Sequence, residues 1–166
     1  KYITSSKPAF LSKDKMTSAQ KGTAMHSFMQ YCDYAKSQNN LEAEIDRLKQ
    51  NNYITEDEAQ VLDRSKLAAL FNSSLAKRMF ESDNIYREIK VSSFVAVNQI
   101  EDTDFDDEVF IQGIADCVFE ENGELVLVDY KTDKVDSEEE LLERYKNQIN
   151  FYKYAVAKTL KKPVKV

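Results

Sequence analysis

The sequence predicts an α+β fold, and three observations carry that prediction. Apolar residues recur at helical spacing through the first half of the chain, with no strand-like run among them. From residue 85 the character changes to β-branched and aromatic stretches arranged around Asn122-Gly123, a dipeptide that favours tight hairpins. A long amphipathic stretch then follows, and the last residues, Pro163-Val164-Lys165-Val166, read as a strand that is only beginning.

Element by element, residues 1–21 read as an irregular basic arm containing Pro8 and several Ser and Lys. A helix is predicted over 23–36, because Met25, Phe28, Met29 and Cys32 share one face. Asn39-Asn40 interrupts it, and a second helix runs over 41–50. Thr55 and Glu58 form a capping box that opens a third helix reaching Phe71. Ser73 or Ser74 caps a fourth, which ends at Met79-Phe80. Strands are expected over 85–97, with a bulge near Ser92-Ser93, over 109–120 and over 124–131. Ser137 and Glu140 form a second capping box, from which a helix extends to about residue 160. The expectation is one domain, 1–166, with a mostly helical part at 1–84 and a strand–strand–strand–helix core at 85–166 whose last strand is cut short.

Composition excludes several chemistries. Three glycines cannot supply a Gly-rich phosphate loop, and no run approaches the roughly 18 apolar residues of a membrane span. Cys32 and Cys117 are too few for a structural zinc site or a four-cysteine iron–sulfur cluster. His26 stands alone as histidine, and no serine has a nucleophile-elbow setting. Within the acidic stretch 101–108, Asp102-x-Asp104-x-Asp106 lacks the glycine and the terminal glutamate of a calcium loop, so a solvated connection is expected. The net charge of −6 speaks at first against a cationic nucleic-acid binder. It is unevenly spread, however. Residues 1–40 carry six basic and two acidic side chains, and residues 144–166 carry seven basic and no acidic ones. The acid excess lies between them.

The hairpin brings acids together. A two-residue turn at Asn122-Gly123 sets a register in which Asp116 and Asp129 stand directly opposite, where like charges repel. The strand period of two puts Lys131 on the face of Asp129. A divalent ion between the acids would relieve the repulsion, and oxygen ligands suit Mg²⁺ or Mn²⁺. On spacing alone, a solvent-facing Asp–Asp–Lys cluster is an equal alternative.

Gln112-Gly113-Ile114-Ala115-Asp116, followed by Val126-Leu127-Val128-Asp129-Tyr130-Lys131-Thr132-Asp133, resembles the core of the PD-(D/E)xK (restriction-endonuclease-like) nuclease superfamily, and more closely its RecB-family nuclease domain. Gly22-Thr23-Ala24-Met25-His26 is similar to that family's histidine-bearing helix, Arg87-Glu88 to its first strand, and Gln148-x-x-x-Tyr152 to its Q-x-x-x-Y motif. The motifs occur in the family's order and cover most of the chain, although Ala115 replaces the proline before the first acid.

The resemblance implies a mixed sheet flanked by helices and a metal, Mg²⁺ or Mn²⁺, held by His26, Asp116, Asp129 and the backbone carbonyl of Tyr130. Glu88 stays two-sided, either a ligand to a second metal or an ion-pair partner of Arg87 or Lys90. Lys131 would act on the attacking water, and Gln148 and Tyr152, with Tyr145 on the same helical side, would brace Lys131 or touch DNA. No iron–sulfur cluster is expected, because the four-cysteine staple of some relatives is absent here, with only Cys32 and Cys117 available. The resemblance further implies single-stranded DNA exonuclease activity in the bacterial cytoplasm, within an ATP-dependent helicase–nuclease complex that repairs double-strand breaks by recombination. The partners implied are the DNA, a helicase portion of the same polypeptide and a second helicase–nuclease subunit, with no membrane. A catalytically silent DNA-binding or subunit-docking module is the alternative.

Overall fold

The computed structural model describes residues 16–99, 101–133 and 135–166. The basic arm expected at the start of the chain therefore lies mostly outside the described residues. Its end does not. A capping box between Thr17 and Gln20 starts α1 (Ser18–Tyr31) five residues earlier than predicted. Five short helices follow: α2 (Tyr34–Asn39), α3 (Leu41–Gln50), α4 (Glu56–Val61), α5 (Arg64–Phe71) and α6 (Ser74–Phe80).

Two helices predicted as continuous are broken. The 23–36 helix stops at Tyr31 and restarts after Asp33, and the helix from Thr55 stops at Val61 and restarts after Asp63. The cause is the same in both. Each aspartate accepts a hydrogen bond from the backbone three residues on, at Lys36 and Lys66, and so begins a new helix in place of prolonging the old one. The breaks let short helices wrap one core of Phe28, Ile45, Leu48, Leu67, Phe71 and Met79. Cys117, Phe119 and Val126 of the sheet close that core from the other side.

The sheet has the order β1 (Ile85–Ala96), β2 (Glu108–Glu121), β3 (Glu124–Val128), β4 (Val164–Lys165). β1 and β3 run antiparallel to β2, whereas β4 runs parallel to β3, which makes the sheet mixed. The connection from β3 to β4 is α7 (Glu138–Leu160), as a parallel crossover requires. Ser137 caps α7, but Glu140 accepts from the Asp136 amide and not from that of Ser137. α7 buries Phe151, Tyr152, Ala155 and Val156 against Val91, Val95, Ala115, Val118, Leu125 and Leu127. The central strand is thus covered on both faces, and Ala115–Phe119 are all buried.

The β2–β3 hairpin has the predicted register, with Asn122 at φ 52° and Gly123 at φ 82°. Both values are positive, as a two-residue turn of this kind requires. β3 ends at Val128, earlier than expected, and residues 129–131 leave the ladder. No bulge occurs at Ser92-Ser93. The β1–β2 ladder keeps one register from Ile85↔Phe119 to Ala96↔Glu108 and is interrupted at Glu88, which has φ 51°. The interruption reverses the alternation. Ile85 packs on the helical core, whereas Ile89, Val91 and Val95 pack under α7.

Candidate metal centre

The sheet's irregular point faces α1. Glu88 occupies the position opposite Asp116 in the β1–β2 register. His26 comes down from the middle of α1, and one ligand atom from each of His26, Glu88 and Asp116 lies within 4.8 Å of the others. Asp116 is 9% exposed and uses both its oxygens. Oδ1 stands 3.3 Å from His26 Nδ1, and Oδ2 accepts the Tyr130 backbone N–H at 2.7 Å. A non-glycine residue held at positive φ is a strained feature of the kind that concentrates at functional sites.

Asp129 follows directly on the last pair of the hairpin, Cys117↔Val128, and lies outside the ladder. Its side chain is 10% exposed and engages Lys131 Nζ at 2.7 Å. Lys131 lies 4.3 Å from the centre of the Tyr145 ring, whose hydroxyl donates to Asp133 at 2.8 Å. The lysine is thereby held between a carboxylate and an aromatic face.

The side chains of the site shift one another's ionisation. A hydrogen bond with Asp116 raises the pKa of His26. Burial raises that of Asp129 despite the pull of Lys131, and burial together with the charge of Asp116 raises that of Glu88. Carboxylates that resist ionisation beside one another are what a divalent cation would stabilise. The donors, an imidazole nitrogen and carboxylate oxygens, fit a hard or borderline ion such as Mg²⁺ or Mn²⁺.

The sequence pattern of the PD-(D/E)XK nuclease superfamily matches residues 2–166. The chain belongs to that superfamily. This PD-(D/E)XK domain is also similar to curated AddA proteins, which are named as ATP-dependent helicase/nuclease subunits. It is 41% identical to the one from Clostridium kluyveri over 96% of the chain. It is 38% identical to one from Clostridium botulinum, and 34% identical to that from Ruminiclostridium cellulolyticum, over 99% of the chain in each case. The domain spans about one seventh of these relatives, 14% of each.

PD-(D/E)XK nucleases use divalent metal ions. In this nuclease domain the predicted site residues divide into two groups. His26, Glu88 and Asp116 converge, with the Asp129–Lys131 pair at the adjoining position of the hairpin. Tyr130 contributes its amide to Asp116. On α7, Gln148 donates to the Tyr152 hydroxyl at 3.1 Å, and Tyr145 meets Lys131. Gly113 is legible in the sequence only as part of a motif. Its role is spatial, since a β-carbon there would come within 2.8 Å of the Tyr152 ring.

Proposed function

We propose that this domain is a metal-dependent deoxyribonuclease that hydrolyses phosphodiester bonds in single-stranded DNA and acts as an exonuclease. The observation that carries this reading is the convergence of His26, Glu88 and Asp116 beside the Asp129–Lys131 pair. His26, Asp116, Asp129, the Tyr130 carbonyl and Glu88 are the ligands available to Mg²⁺ or Mn²⁺. When bound, such an ion supplies Lewis acidity toward the phosphate and lowers the pKa of the attacking water.

The chain's own groups do the rest. Tyr130 N–H fixes the Asp116 carboxylate in orientation. Lys131, anchored by Asp129 and Tyr145, orients the water and offsets negative charge developing on the phosphate oxygens. Tyr152, its hydroxyl accepting from Gln148, packs α7 onto the sheet at Gly113, and α7 carries Tyr145 to Lys131.

The name of the relatives, which joins helicase and nuclease, supports a place for this domain in an ATP-dependent helicase–nuclease complex, and we propose that the complex serves recombinational repair in the bacterial cytoplasm. Its DNA would then be delivered by a helicase portion of the same polypeptide, alongside an AddB/RexB-like second subunit. Within the domain, 85–166 is the catalytic core and 1–84 supplies the histidine-bearing wall.

End-labelled single-stranded DNA tests the reading. The protein should degrade it with Mg²⁺ or Mn²⁺ and not with excess chelator. Asp116→Ala, Asp129→Ala and Lys131→Ala should each lower the rate about a hundredfold to a thousandfold, as expected when a principal charge-stabilising group is lost, with unchanged circular dichroism. Full activity in purified Asp129→Ala or Lys131→Ala overturns the site, and a silent docking module would show no cleavage in any of them, wild type included.

A further inference from the structure

We propose that Arg87 is a positioning residue for the metal centre, clamping the C-terminal turn of α1 onto β1 so that His26 and Glu88 meet. The proposal rests on reading His26, Glu88 and Asp116 as metal ligands. A helix ends with carbonyls that lack intrahelical partners and with a partial negative charge. The last turn of α1 contains no basic residue to answer it. Arg87 answers it from another element. Its Nη1 donates to the Cys32 carbonyl at 2.6 Å and to that of Gln30 at 3.1 Å, with Met29 O at 3.5 Å.

Arg87 also reaches the other side of the site. Its guanidinium lies 3.8 Å from the centre of the Tyr34 ring. The Tyr34 hydroxyl is 3.3 Å from that of Tyr130, whose amide holds Asp116. One cation therefore links the helix that carries His26 to the residue that orients Asp116.

The reversed alternation at Glu88 completes the device. Neighbouring residues of a regular strand point to opposite faces. Here Arg87 and Glu88 both address α1, Arg87 at its end and Glu88 beside His26. Moving the end of α1 away from β1 would widen the His26–Glu88 gap directly. A lysine cannot substitute, because it has no planar face to stack on Tyr34.

The test is calorimetric titration of the metal-free protein with Mn²⁺ for wild type, Arg87→Lys and Arg87→Met, alongside melting curves and steady-state cleavage of single-stranded DNA. Arg87→Lys should bind Mn²⁺ roughly 10–100-fold more weakly, the usual effect of loosening the groups that hold ligands in place. At saturating Mn²⁺ its kcat should recover to within a few fold of wild type, with KM for DNA unchanged. If Arg87→Met does not fold, Arg87→Lys decides alone. Lower melting temperature with wild-type Mn²⁺ affinity overturns the proposal, as does a raised KM with wild-type Mn²⁺ affinity. Failure of the wild type itself to bind Mn²⁺ overturns the metal reading and this role with it, whereas binding by wild type and variants alike overturns this role only.

Discussion

Gly113 of β2 lies directly beneath the ring of Tyr152 on α7, at a distance that leaves no room for a β-carbon. This contact joins two motifs 39 residues apart in the chain. It lets α7 settle onto the sheet with Tyr145 on one side of the site and the Gln148–Tyr152 pair behind it.

Gly113→Ala should therefore destabilise the domain by about 1–3 kcal/mol, the usual cost of overpacking a filled core. In a domain of this size that lowers Tm by a few degrees per kcal/mol, roughly 2–10 °C. Pairing it with Tyr152→Leu should recover part of the loss relative to the sum of the single changes. Differential scanning calorimetry of the four proteins checks this, and strict additivity would show that the clash is relieved elsewhere.

The His26–Asp116 contact makes metal-free stability depend on pH. The hydrogen bond to Asp116 raises the His26 pKa above its ordinary value. A raised pKa stabilises the fold while the histidine is protonated, fully so below its unfolded value of about 6.5. The contribution is lost as pH rises through the folded value. In chelator, wild type should thus exceed His26→Gln in melting temperature at acid pH, with the difference shrinking toward alkaline pH. Mn²⁺ affinity should run the other way and weaken as the imidazole is protonated. Melting curves and Mn²⁺ titrations across this range test both trends.

Glu44 is the buried charge of the helical part, with 2% exposure. It accepts from Arg47 Nε at 2.8 Å, from Arg47 Nη2 at 2.6 Å and from the Asp33 amide at 2.6 Å. Burial works to raise its pKa, but the hydrogen bonds from Arg47 and the Asp33 amide outweigh it, and the carboxyl sits below its ordinary value. Glu44→Ala should cost about 1–3 kcal/mol by leaving these donors unanswered. The penalty should be present at neutral pH and fade as pH falls through the lowered pKa, where wild type loses the same stabilisation. Urea denaturation at neutral and acid pH measures it, and cleavage per folded molecule should not change.

Much of the site is legible in the sequence because its signals are local. Asn122-Gly123 admits a two-residue turn, and that turn fixes the hairpin register as far as Cys117↔Val128 without further information. The caps at Thr55, Ser73 and Ser137 can be read for the same reason, since a capping side chain acts within three residues of itself. The interruptions at Asp33 and Asp63 use that same chemistry. They escape a periodicity reading because helical spacing continues across them, and only packing around Phe28 and Phe71 shows that the helix does not.

The sequence alone determined the α+β class, the hairpin register, and the carboxylate–lysine pair two residues apart. Tertiary structure alone decided that Glu88 turns out of the ladder toward His26, that Arg87 closes the end of α1, and that Gly113 makes room for Tyr152. The difference is one of range. Backbone hydrogen bonding and side-chain alternation operate over a few residues, whereas the path of a strand past a helix some 60 residues away depends on how both bury their apolar faces at once.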